Sequence, residues 1–346
     1  MRVAIATVQV PFVNGGAESL TAGLARALRS DGHEVDIVTM PFRFLPAAEV
    51  ERSMDAWAAE DFERLNGLEP DRVICLKFPA YLLAHPCRRL WLVHQHRPVY
   101  DLWGTLWDGG LSGTSDGEAL RARILAADAR ALAGCGPVYT IAHEVSQRLR
   151  VHNGIASTPL YHPPALADRL YGAESEPYVF FPSRLEGLKR QELLVRAMTL
   201  VKAPVVALLA GDGGMAPALQ QQIDQLGLRD RVRLIGRISD EAMLVCYARC
   251  LTTFFGPYAE DYGLVALEAM RAEKPVVTCT DSGEPAHFVI DGETGCVVPP
   301  EPEAIAAAID ALWENPMRAA ALGRAGRERY DELGVSWDHV LEALLG

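Results

Sequence analysis

The sequence predicts an α/β protein built from two doubly wound domains in tandem. Three observations carry that expectation. Short apolar, β-prone runs alternate with helix-like stretches along nearly the whole chain, the pattern of a parallel sheet covered by helices. The alternation breaks once, around Tyr161-His-Pro-Pro164, and resumes after a polar linker from Ala173 to Pro177. The chain has 346 residues, 49% of them hydrophobic, enough for two ordinary cores. The expected division is a first domain over residues 1–165, a second over 176–330, and a C-terminal helix over 331–346 that could pack back on the first.

The elements follow in order. Arg2–Gln9 is short and β-branched, so it reads as a first strand and not as a signal peptide. A loop through Gly15-Gly16 leads to Ala17–Ser30, which has helical periodicity and stops at Asp31-Gly32. Glu34–Met40, Arg72–Lys77, Arg89–His94 and Val138–Ala142 are further strands, with a long helix from about Gly117 to Ala133 before the last. The second series begins at Tyr178–Ser183. It continues through Val205–Ala210, Val232–Ile235, Cys250–Phe255, Pro275–Thr280 and Gly295–Val298. Helices fit between them at Met215–Leu226 and Pro302–Trp313, and two more, about Met317–Tyr330 and Ser336–Leu345, finish the chain. Both domains are expected to place their strand C-terminal ends at a shared central cleft, where ligands bind in open α/β sheets.

Composition narrows the function classes. The net charge of −12 argues against a nucleic-acid partner. Residues 1–165 carry 16 basic and 18 acidic side chains, whereas residues 166–346 carry 17 and 27. No strongly basic face is visible in the first half, so tight binding to anionic lipid is not expected, though peripheral association stays open. There is no charge-free apolar run of about 18 residues, so integral membrane contact is not expected. Seven cysteines are scattered without framework spacing; Cys246 and Cys250 lie four apart but lack a second ligand pair. They read as buried, reduced thiols of a cytoplasmic protein.

The most informative stretch is Glu260-Asp-Tyr-Gly-Leu-Val-Ala-Leu-Glu268. Gly256 and Pro257 end the strand before it, which puts Glu260 in the loop at that strand's C-terminal end. Leu264, Val265, Leu267, Ala269 and Met270 read as a helix packed on a sheet, with Glu268 about two turns in. Between the two acids, the amides of Tyr262, Gly263 and Leu264 form a helix N-terminus suited to a phosphate. Gly263 removes a side chain where a ligand would approach, and carboxylates on either side can accept hydrogen bonds from sugar hydroxyls. Read alone, the pair is also compatible with two solvated acids near a helix start.

This stretch resembles the E-x7-E motif of the retaining glycosyltransferases of family 4, which have the GT-B fold of two Rossmann-like domains facing a central cleft. Other motifs follow in that family's order. Ser183-Arg-Leu-Glu-Gly-Leu-Lys-Arg190 places a guanidinium at Arg184 and an ammonium at Lys189 at a strand end, a fork and a mobile point charge suited to a diphosphate. The resemblance makes them the R-x4-K pair that neutralises the leaving nucleoside diphosphate. Gly211-Asp-Gly213 resembles the loop that lines the nucleotide pocket. Arg237 and Ile238, within Leu234–Asp240, fall where the family's backbone contacts the base. Gly15-Gly16 resembles the glycine pair whose amides face the donor phosphate and acceptor. A histidine recurs in the family beside the transferred sugar; His94, at its strand end, is the first choice and His96 the second. Glu284 stands where many relatives carry a second glycine, and either a ligand contact or a helix cap would explain it.

The resemblance implies a retaining enzyme that moves a sugar from a nucleotide-diphosphate donor to an acceptor hydroxyl. It implies no cofactor and no metal, the cationic side chains and helix terminus taking the diphosphate charge. No D-x-D motif sits at a strand end. Glu260 would orient the donor sugar and Glu268 would accept from the ribose. A GT-B sugar-nucleotide epimerase and a non-catalytic sugar-nucleotide-binding subunit are the alternatives. Loops near Pro41–Pro46 and Trp103–Ser115 are expected to shape the acceptor pocket, with Trp103 and Trp107 either stacking on a sugar or packing in the core. A polysaccharide, a lipid-linked sugar or a small natural product would each fit as acceptor.

Overall fold

The structure, a computed structural model, describes residues 1–13, 15–65 and 67–346. Its contacts divide into two compact units, Met1–His162 with Ser336–Gly346, and Pro163–Val335.

The first unit runs β1 (Arg2–Gln9), α1 (Gly16–Ser30), β2 (Glu34–Pro41), α2 (Ala47–Ala59), β3 (Arg72–Cys75) and β4 (Arg88–Leu92). It continues with α3 (Ser115–Ala133), β5 (Val138–Thr140), α4 (His143–Asn153) and β6 (Thr158–Pro159). The six strands are parallel, in the order β2-β1-β3-β4-β5-β6. The strand order reverses between β1 and β3, so the loop holding Gly15-Gly16 leaves the sheet beside its topological switch point. Val3 to Ala6 and Val73 to Cys75 are fully enclosed, as expected for strands covered on both faces.

The second unit repeats the plan with β7 (Tyr178–Pro182), α5 (Gln191–Ala197), β8 (Val206–Ala210), α6 (Ala216–Gln225), β9 (Val232–Gly236) and α7 (Asp240–Arg249). Then come β10 (Thr252–Phe254), α8 (Leu264–Arg271), β11 (Val276–Cys279), α9 (Glu284–Phe288), β12 (Gly295–Val298), α10 (Pro302–Glu314) and α11 (Pro316–Glu332). Its parallel sheet has the order β12-β11-β10-β7-β8-β9, reversing between β7 and β10. The loops after those two strands carry Lys189 and Glu260, so both residues flank the switch point where open sheets bind ligands. Phe181, Leu209, Phe254, Val277, Ile305 and Ile309 belong to one buried cluster under that edge. The last helix, α12 (Trp337–Leu345), returns to the first unit and packs on α1. Among the described residues no helix is long and apolar enough to cross a membrane.

Candidate active site

β10 stops at Phe254, and the loop that follows reaches α8 only at Leu264. Along this loop the Ala259 amide donates to the Asp281 carbonyl and the Glu260 amide to the Ser282 carbonyl, both at 2.9 Å. The Glu284 amide returns a bond to the Glu260 carbonyl. Glu260 thus rests in a short extension of the sheet, its backbone fixed against the loop after β11.

Opposite it, the loop after β7 makes one 3₁₀ turn at Gly187–Lys189. The Lys189 ammonium lies 2.5 Å from a Glu260 carboxylate oxygen, with both side chains mostly enclosed. It also stands 5.7 Å from the centre of the Phe255 ring. The structure therefore joins two residues that the sequence assigned to separate motifs. Arg184 is not part of this pair. Its guanidinium holds Glu186 at 2.9 Å, with both side chains about two-fifths exposed. An exposed pair of this kind contributes about 0–1 kcal/mol, so an arriving phosphate can exchange for Glu186 at little cost.

Glu268 sits lower in the same unit. α8 starts at Leu264, so Glu268 is about one turn into the helix and not the expected two. The Tyr247 hydroxyl donates to its carboxylate at 2.5 Å. Burial pushes the Glu268 carboxyl up to about 7, against the opposing pull of that hydrogen bond. Gly263 caps α8 in a left-handed conformation (φ 85°), and a Cβ there would lie 2.6 Å from the Pro285 ring. Packing alone thus requires glycine at this position, whatever approaches from outside. Tyr262 is buried against Phe288, and Leu264 is half-buried.

The loop after β8 lies on the loop after β7. A Cβ on Gly211 would come 2.0 Å from the Ser183 carbonyl oxygen, and one on Gly213 would come 2.4 Å from that of Leu185. Both glycines are explained by this backbone-to-backbone approach. Arg237 is exposed, with Asp212 at 3.8 Å, and Ile238 is half-buried beside it. Glu284 is fully buried at the start of α9.

In the first unit, Gly15 precedes α1 and its amide donates to the Glu18 carboxylate at 2.8 Å, while Gly16 opens the helix. Glu18 in turn receives the buried Lys77 ammonium at 3.4 Å. β4 ends at Leu92, which leaves His94 in the following loop and half-buried. Its Nδ1 lies 2.7 Å from the Gln95 carbonyl oxygen; since a carbonyl only accepts, Nδ1 is the donor. His96 is enclosed among Phe42, Phe44 and Phe78, and burial first, then His94, lowers its imidazole to about 3, so it is neutral. Gln95 between them reaches Asp128, which also accepts from the Tyr81 and Tyr100 hydroxyls at 2.9 and 2.6 Å. Sequence reasoning did not find Tyr247, Arg190 or Asp281. Of these, only Arg190 had a local signal, its place next to Lys189.

Residues 168–329 match the family Glycosyl transferases group 1. A GDP-mannose-dependent alpha-(1-6)-phosphatidylinositol monomannoside mannosyltransferase of Mycolicibacterium smegmatis is 35% identical over 168 residues, which is 45% of this chain and 44% of that protein. An uncharacterised glycosyltransferase of Methanocaldococcus jannaschii is 24% identical over 98% of this chain and 96% of its own. The chain spans less than half the length of the first curated relatives it matches, at 44%, 41% and 44%. Among solved structures, Anabaena HepE in complex with UDP-glucose superposes with a TM-score of 0.71 over 100% of this chain and 98% of that one, at 18% identity. The fold is GT-B, two Rossmann-like α/β domains in one chain.

Proposed function

We propose that this chain is a retaining, family 4 type glycosyltransferase, working in the cytoplasm, that moves a hexosyl group from a nucleotide-diphosphate donor to an acceptor hydroxyl. The observation that carries the reading is the Lys189–Glu260 pair at the switch point of the second sheet. It sits within the stretch that matches the group 1 family. On donor entry the β-phosphate replaces Glu260 as partner of the Lys189 ammonium. Arg184 leaves Glu186 to grip the phosphate with its fork. Glu260, released from Lys189, accepts from hydroxyls of the donor sugar. Glu268, held by Tyr247, accepts from the ribose. The acceptor hydroxyl attacks an oxocarbenium-like carbon from the face the diphosphate leaves, and its proton goes to the departing phosphate. Arg184, Lys189 and the Gly263 helix terminus stabilise the charge that develops there. Cationic side chains fill the role a metal would otherwise have.

The relatives offer two donors for the first trial, GDP-mannose and UDP-glucose. The purified chain should convert one of them, with release of nucleoside diphosphate and a hexosyl mass gain on a sugar, lipid-linked or small-molecule acceptor. NMR of the product should show the donor's anomeric configuration. An inverted product would overturn the retaining chemistry. Transfer should persist in excess chelator; loss that Mg²⁺ or Mn²⁺ restores would overturn the metal-free site.

A further inference from the structure

We propose that Arg190 is a positioning residue: anchored by Asp281, its guanidinium locks the loop carrying Lys189 against the loop carrying Glu260. The inference deepens the glycosyltransferase reading and rests on it for its kinetic test.

The residue is unusual in its backbone. Arg190 has φ 52°, the left-handed region that residues with a Cβ rarely adopt. Its side chain explains why the chain tolerates this. Nε donates to the Gly256 carbonyl at 2.8 Å and Nη2 to the Pro257 carbonyl at 2.7 Å. Nη1 and Nη2 then hold the two Asp281 oxygens at 2.7 and 2.6 Å. Gly256 and Pro257 open the loop that leads to Glu260. Asp281 lies in the loop whose carbonyls receive the Ala259 and Glu260 amides. One planar group thus ties together three loops, at a site where it is only 8% exposed. The Tyr258 ring, 5.7 Å from the guanidinium carbon, adds a further contact from the Glu260 loop. Lys189 is the residue immediately before this anchor. Fixing the backbone at 190 therefore fixes where the Lys189 stem leaves the chain, and fixing 256–257 fixes the approach of Glu260. A lysine at 190 could not reproduce the lock, because an ammonium on a flexible stem has three N–H donors and cannot serve four acceptors.

The test uses Arg190→Gly, which keeps the left-handed backbone without strain while removing the guanidinium. Lost positioning is expected to lower kcat by about 10²-fold with donor KM changed less than about threefold, since near-attack geometry suffers more than binding. Arg190→Lys should recover little of the rate. Lys189→Ala added to Arg190→Gly should cost only about twofold, far less than it costs alone, because an unpositioned ammonium has little left to lose. Losses that simply multiply would overturn the proposal. A readout that does not need turnover is amide exchange: Ala259 and Glu260 should exchange about tenfold faster in Arg190→Gly, with β8 unchanged. Unchanged protection at those two amides overturns the lock. Failure of the unaltered chain to transfer any sugar overturns the enzymatic reading alone, and the exchange result then decides for or against the lock.

Discussion

At the residue scale, the decisive feature is that an acid and a base occupy each other. Lys189 and Glu260 are mutual partners at 2.5 Å. On the proposed function, a phosphate competes with this carboxylate for the Lys189 ammonium, so Glu260 would oppose the binding of free nucleotide while serving the sugar of a full donor. Glu260→Gln should therefore lower kcat by about 10²-fold through lost sugar orientation, yet tighten free nucleoside diphosphate by about threefold or more. Calorimetric titration checks this, and weaker nucleotide binding would contradict the exchange of partners. Glu268 poses a different trade. Its carboxyl rises from 4.5 to about 7 in the folded chain. The fold thus holds this proton more tightly than the unfolded chain does. The resulting stabilisation is full below about 4.5 and is lost as pH rises through about 7. Glu268→Gln cannot ionise, so its urea midpoint should gain on the unaltered chain between pH 5 and pH 8. Its nucleotide affinity should fall, because one acceptor oxygen has become a donor. An equal midpoint difference at both pH values would contradict the buried, late-titrating carboxyl.

At the element scale, the loops of the second unit are held by backbone contacts that leave no room for side chains. Gly213→Ala would drive a methyl into the Leu185 carbonyl at a φ of 152° and is expected to destabilise the unit by about 2–4 kcal/mol. Denaturant unfolding measures this; a fully stable variant that had lost nucleotide binding would instead give the glycine to the ligand. Elements of this kind divide into those a sequence reveals and those it hides. The strands were legible because burial on both faces makes them continuous apolar runs, as in Tyr178–Pro182. The helix α4 was not assigned, because its buried face is Val145, Arg148 and Leu149, and an arginine breaks the apolar period. β6 is two residues long and has no pattern to read. The site was legible as separate motifs, Arg184 and Lys189 in one and Glu260 and Glu268 in another. Their pairing was not. Arg190 finds Gly256 and Asp281 at separations of 66 and 91 residues, and Tyr247 finds Glu268 across 21, so only the folded sheet brings them together.

At the scale of the whole molecule, the chain leaves the first unit at His162 and comes back to it at Ser336. The return is made by an aromatic contact. The Trp337 ring stacks on His162 at 5.6 Å and meets Trp91 edge-on at 6.3 Å. It also lies against α1 so closely that a Cβ on Gly23 would sit 2.4 Å from it. Trp91 is a fully buried residue of β4, an interior strand whose following loop carries His94, so the last helix braces the strand that leads to this histidine. Trp337→Ala removes a large ring from a part-exposed position and should destabilise by about 2–3 kcal/mol, less than the 3–5 of a fully enclosed tryptophan. The loss should be local. Amides of β1 and β4 should exchange faster, while those of β7 and β10, in the other unit, keep their protection. On the proposed function the nucleotide is held chiefly by Arg184, Lys189 and Glu268, so its affinity should stay within about twofold. Equal loss of protection in both sheets would show that the two units unfold as one and that the loss is not local.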